Sequence, residues 1–115
     1  MSDITSQRLT SLVKNIKEKK LSSEEVTKAF VDRSEKSKEL NAYITEDFSN
    51  AIDKAKKFDE KPNLDLKLPG IPMAVKDLFC TKDIRTTAGS KILENFVPTY
   101  ESTVTENIWN EGGIL

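Results

Sequence analysis

The chain has 115 residues, 37% hydrophobic and 32% charged, with 18 basic against 19 acidic side chains and a formal net charge of -1. That length allows one domain at most, or part of a larger one, and the charge balance provides no long-range field to draw in nucleic acid. With no histidine and one cysteine, these residues exclude Ser-His-Asp and Cys-His machinery, an internal disulfide and ordinary zinc sites.

Met1-Ser2-Asp3-Ile4-Thr5 lacks the basic start and apolar run of a secretory signal, and no stretch of about 18 apolar residues follows anywhere. A cytoplasmic protein without a membrane role is the expectation. Leu9, Leu12, Val13 and Ile16 recur at helical spacing, with Thr5 or Ser6 as the expected N-cap. Lys14, Lys17, Lys19 and Lys20 gather near that helix's end, where lysines suit the dipole and face water, in preference to forming a phosphate patch. Ser22, with Glu25 three residues later, predicts a capping box and a second helix. Its apolar stripe is Val26, Ala29, Phe30 and the stem of Arg33. Ala42-Tyr43-Ile44 reads as a short extended piece. A third helix carries Phe48, Ala51, Ile52, Ala55 and Phe58 on one side. The three stripes suit packing on a core better than display to a partner.

At Lys61-Pro62-Asn63 the pattern changes, so residues 1–60 read as a helical region and 61–115 as the start of an α/β core. Leu68-Pro69-Gly70-Ile71-Pro72 predicts a rigid turn, because two prolines fix φ and Gly70 is free to take positive values. Met73-Ala74-Val75-Lys76 reads as a short buried strand, Ile84-Arg85-Thr86 as another, and Thr87-Ala88-Gly89-Ser90 as a small-residue loop. Ser102-Thr103 caps a helix through Val104, Ile108 and Trp109, with Gly112 at its C′ position. Gly113-Ile114-Leu115 then opens a strand. Helix followed by strand is the rhythm of an α/β sheet.

One ionisable residue stands in an unusual place. Lys76 closes an apolar extended segment, and a desolvated lysine has a lowered pKa and serves as a proton acceptor. The pattern by itself favours a solvated lysine at a strand end, paired with Asp77, over a desolvated one. Cys80 has no neighbouring base to make it a thiolate and reads as a small, partly buried hydrophobe. Gly112-Gly113 is too little for a phosphate loop.

Leu68-Pro69-Gly70-Ile71-Pro72-Met73-Ala74-Val75-Lys76-Asp77 resembles the segment with which the amidase-signature family delivers its catalytic lysine. Thr86-Thr87-Ala88-Gly89-Ser90 fits the same family. Ser90-Lys91-Ile92-Leu93-Glu94-Asn95-Phe96-Val97-Pro98 is similar to the branch formed by the A subunits of tRNA-dependent amidotransferases. The resemblance covers nearly the whole chain, loosely in the helices and tightly from Leu68 onward.

The resemblance implies an α/β fold, N-terminal helices followed by the start of a mixed-sheet core, and a Ser–cis-Ser–Lys triad with Lys76 as its lysine. Neutral Lys76 would take a proton from the bridging serine, which takes one from the nucleophilic serine as that attacks an amide. The implied substrate is glutamine, whose ammonia passes to a partner subunit that uses ATP and Mg to activate Glu or Asp on tRNA. The B and C subunits are the implied partners, with tRNA contacted mainly through the complex. Both family serines belong to a Gly/Ser-rich segment that these residues do not contain, and Ser90 aligns with neither. The chain alone is therefore expected to be inactive, as a fragment truncated before its nucleophile. Two other readings stay open: a non-catalytic helical interaction module, and a general amide hydrolase of the same family, equally truncated.

Overall fold

Local capping chemistry and apolar spacing decide where the helices begin. The computed structural model of the chain describes residues 3–115. Four α-helices order it: α1 (Leu9–Lys17), α2 (Ser23–Lys36), α3 (Phe48–Glu60) and α4 (Thr103–Asn110). Helix α2 starts at the expected capping box. The Glu25 N–H donates to Ser22 Oγ at 3.0 Å, and the Ser22 N–H donates to Glu25 Oε2 at 2.8 Å. A second cap comes from α3, where Asp59 accepts from the N–H groups of Ser23 (2.9 Å) and Glu24 (2.8 Å). A carboxylate there satisfies two orphan donors and opposes the positive end of the helix dipole.

The start of α1 differs from expectation. Its N-cap position is Arg8, which makes no side-chain cap, while Ile4–Ser6 forms a separate 3-10 turn capped by Asp3. Thr5 and Ser6 are committed elsewhere. The Thr5 hydroxyl donates to Asp3 and accepts from Arg33 Nη1 at 2.8 Å, and the Ser6 hydroxyl donates to the Asp3 carbonyl at 2.8 Å. The same contact corrects the reading of Arg33, which is exposed and reaches toward Thr5 instead of laying its stem on the core.

Two apolar clusters hold the helices. Leu12 and Ile16 from α1, Val26 from α2 and Ile71 from the turn form the first, with Phe30, Phe58 and Met73 packed around it. Ala51 and Ala55 of α3 meet Ile114 in the second. The 68–72 turn locks onto α2, where the Ser23 hydroxyl donates to the Gly70 carbonyl at 2.6 Å. Gly70 takes φ +65°, and a Cβ there would stand 2.5 Å from Ser23 Oγ and 2.7 Å from the Phe58 ring.

The extended segments pair less than expected. Residues 68–73 run parallel to 111–114 through Leu68 N–H to Glu111 O (2.9 Å), Gly70 N–H to Gly112 O (3.0 Å), Ile114 N–H to Ile71 O (2.8 Å) and Met73 N–H to Ile114 O (2.7 Å). Among the described residues only Pro72 and Ile114 form a β-bridge, and it is parallel. Met73-Lys76 is therefore not a laddered strand, because Pro72 has no N–H to give and the N–H groups of Ala74, Val75 and Lys76 meet no backbone acceptor among the described residues. Ile84-Thr86 is likewise a loop segment, tied by Thr86 N–H to Phe96 O at 3.0 Å. Helix α4, capped by Ser102 and closed by Gly112 at φ +94°, returns the chain to the parallel pairing. Two parallel segments joined through a helix make this an α/β globule, with its helices packed on a minimal extended core.

Candidate functional site

A cleft of about 800 Å³ opens between the α2 and α3 side of the molecule and the segments 72–79 and 84–89. Phe30, Val31 and Phe48 contribute apolar side chains to its wall, and Lys76 also lines it. The Lys76 side chain is exposed and has no ion-pair partner among the described residues.

Asp77 does not pair with Lys76 as expected. Side chains of adjacent residues in an extended segment point to opposite sides, so one carboxylate cannot easily serve both directions. Asp77 instead accepts from the Thr87 N–H at 2.9 Å and from the Thr87 hydroxyl. Its main-chain carbonyl accepts from the Ala88 N–H at 2.6 Å. Burial pushes the Asp77 carboxyl up, but the Thr87 hydroxyl and N–H, the nearby Gly89 N–H and the Arg85 guanidinium outweigh it and hold it below the usual carboxylate range.

Arg85 clamps the other side of the loop. Its guanidinium donates to Thr45 Oγ1 (3.1 Å), the Ile44 carbonyl (2.9 Å) and the Glu94 carbonyl (3.1 Å), which ties three chain segments beside the cleft. Neither Asp77 nor Arg85 stands out in the sequence as a site organiser. For Asp77 the available signal is an aspartate at the end of an extended run followed by a Thr-Thr loop, a pairing well suited to loop capping.

The remaining candidates resolve as structural. Cys80 is half-buried and donates to Tyr100 Oη at 3.4 Å, a contact that pushes the Tyr100 hydroxyl upward. Ser90 caps the 3-10 turn Lys91–Leu93 by accepting from the Ile92 N–H at 3.3 Å. Lys14, Lys17, Lys19 and Lys20 are exposed, and Glu18 pairs with Lys20 at 2.6 Å and with Lys14 at 3.9 Å. Ser34 lines the cleft, but its hydroxyl donates back to the Phe30 carbonyl at 2.9 Å. The described residues thus bring together a cleft, a lysine amine without an ion-pair partner among them, and a pinned loop.

Residues 25–115 match the family model described as amidase. The chain is 78% identical over 115 residues to the A subunit of glutamyl-tRNA(Gln) amidotransferase from Pelagibacter ubique (strain HTCC1062), a match covering 100% of this chain and 24% of that protein. It is 45% identical over 117 aligned residues to the protein of the same name from Rickettsia bellii (strain OSU 85-389), again covering 100% of this chain and 24% of the relative. The chain therefore spans 24% of the length of these curated relatives. Among solved structures, one described as an unexpected vestigial protein complex that reveals the evolutionary origins of an s-triazine catabolic enzyme superposes with a TM-score of 0.83 at 22% identity. That match covers 95% of this chain and 25% of the other, and it bears on the fold alone.

Proposed function

This chain belongs to the amidase family, and from that premise we propose that its residues form the N-terminal part of the glutamine-hydrolysing subunit of a tRNA-dependent amidotransferase. The observation that carries the reading is 78% identity along all 115 residues to the A subunit of a glutamyl-tRNA(Gln) amidotransferase. The family-like segment Leu68–Asp77 puts Lys76 on the lining of a large cleft that the loop 84–89 also borders.

In the complete subunit Lys76 accepts the proton that a bridging serine takes from the nucleophilic serine, while that serine attacks the side-chain amide of glutamine. The relay returns its proton to the amide nitrogen as the tetrahedral adduct collapses, so that ammonia leaves and an acyl-enzyme remains, which water hydrolyses to glutamate. The ammonia goes to a partner subunit, where ATP and Mg serve to activate Glu on tRNA(Gln) or Asp on tRNA(Asn). The B and C subunits are the proposed partners, and the tRNA is held mainly by the complex. The proposal assigns ATP and Mg to the partner subunit, as the family resemblance implies. No helix among the described residues is long and apolar enough to cross a membrane.

A polypeptide limited to these 115 residues is expected to release no ammonia from glutamine, whereas a complete subunit in complex with its partners releases it. Ammonia measured against a heat-killed control checks both. Turnover by the short polypeptide that disappears in Lys76→Ala would contradict the reading, since a nucleophile would then have to lie within these residues.

A further inference from the structure

The direction of the Lys76 side chain depends on how its backbone is held, and the chain on either side is held at two points. Upstream, the Met73 N–H donates to the Ile114 carbonyl at 2.7 Å. The N–H groups of Ala74, Val75 and Lys76 make no backbone bond among the described residues. Downstream, the Lys76 carbonyl accepts from the Leu78 N–H at 2.8 Å and the Phe79 N–H at 3.1 Å in a local turn, and the one long-range tie beside Lys76 is made by Asp77. Its carbonyl takes the Ala88 N–H, and its carboxylate takes both the N–H and the hydroxyl of Thr87. The Thr87 hydroxyl also accepts from the Gly89 N–H at 3.1 Å, and Thr87 is 4% exposed.

The loop so gripped is strained. Ala88 has φ +51° and Gly89 φ +68°, two successive left-handed residues. For alanine that conformation is unfavourable and persists only where the surroundings hold it. The Ser90 N–H closes the turn on the Thr87 carbonyl at 2.9 Å, and Asp77 anchors that turn, because it binds the residue before the left-handed pair and the first residue of the pair itself. Both Ala88 and Gly89 border the cleft that Lys76 lines.

We infer that Asp77 is a positioning residue: through Thr87 and Ala88 it fixes the strained loop against the backbone next to Lys76, and so aims the amine into the cleft. The inference rests on the proton-relay role proposed for Lys76. Asp77 itself touches no reacting atom in this arrangement; its carboxylate acts through the hydroxyl and the N–H of Thr87, and the hydroxyl is the contact a side-chain substitution can remove.

The test uses the complete subunit in complex with its partners, with ammonia release from glutamine as the readout and melting curves run in parallel. Asp77→Asn and Thr87→Val, the second nearly isosteric but without the hydroxyl, are expected to lower kcat by about tenfold to hundredfold with KM changed by no more than about threefold, because small misplacements of a reacting group act on the chemical step. Thr87→Ser keeps the hydroxyl and is expected to restore kcat to within about threefold of the parent. Should Asp77→Asn fail to fold, the Thr87→Val and Thr87→Ser pair decides alone. Parent-like kcat in Thr87→Val, or an equal loss in Thr87→Ser, overturns the inference while leaving the role of Lys76 standing. Lys76→Ala is the control for that role: if it stays active, the relay reading and this inference fall together.

Discussion

Lys76→Ala in the complete subunit is expected to lower glutamine hydrolysis by about 10²–10⁴-fold, the usual cost of losing a positioned proton acceptor. Stability should barely change, within about 0.5 kcal/mol, because the side chain is exposed and holds no ion pair among the described residues. The informative companion is Lys76→Arg. A guanidinium keeps the positive charge and the hydrogen-bond donors but does not give up its proton in a protein. If Lys76 relays a proton, Arg is as inactive as Ala. If Lys76 only binds an anionic or carbonyl group, Arg recovers much of the rate. Steady-state kinetics of the three proteins, with melting curves alongside, separate these outcomes.

Gly70→Ala is expected to cost about 3–6 kcal/mol, enough to remove much of the stability of an ordinary domain. Three effects add. Alanine at φ +65° carries about 1–2 kcal/mol of backbone strain. The new methyl group would sit 2.5 Å from Ser23 Oγ and 2.7 Å from the Phe58 ring, and overpacking of this kind costs about 1–3 kcal/mol. Ser23 is 0% exposed and donates to the Gly70 carbonyl, so moving it away also sacrifices a buried hydrogen bond of about 1 kcal/mol. Gly89→Ala is the matched comparison, with φ +68° but nothing within 4 Å of the added carbon. It should show the strain alone, about 1–2 kcal/mol. Denaturant melts of both variants in the complete subunit check the difference. Equal losses at the two glycines would mean that the crowding between the 68–72 turn, α2 and α3 does not govern this part of the fold.

What the sequence reveals of this structure is mostly local. The Ser22–Glu25 capping box and the C′ role of Gly112 rest on contacts within a few residues, and both are present. The stripes also read correctly at their centres, since Leu12, Ile16, Val26, Ala51 and Ala55 are buried. The errors lie where distant segments compete for the same groups. Thr5 has the chemistry of a helix cap, yet Arg33, 28 positions away in sequence, claims its hydroxyl. Met73-Lys76 has the composition of a strand, but strand pairing depends on which segments come alongside, and among the described residues only Ile114 does. Asp77 reads in sequence as a partner for its neighbour, whereas its acceptors serve Thr87 ten residues on. The pattern marks Lys76 only as a candidate, and the resemblance is what gives it a role. Its placement on the cleft lining adds a geometric reason to the motif, while the chemistry assigned to it rests on the proposal.

The most direct measurement of the central claim is amidation of tRNA by the complex built with the complete subunit carrying these residues, run with glutamine and, separately, with free ammonium as the nitrogen donor. The parent complex should convert Glu-tRNA(Gln), or Asp-tRNA(Asn), to the amidated form with either donor in the presence of ATP and Mg. The Lys76→Ala complex should lose glutamine-dependent conversion while keeping conversion from ammonium, since the role proposed for this subunit is confined to ammonia release. Glutamine-dependent amidation that survives Lys76→Ala, or a parent complex that amidates neither tRNA, would contradict the account.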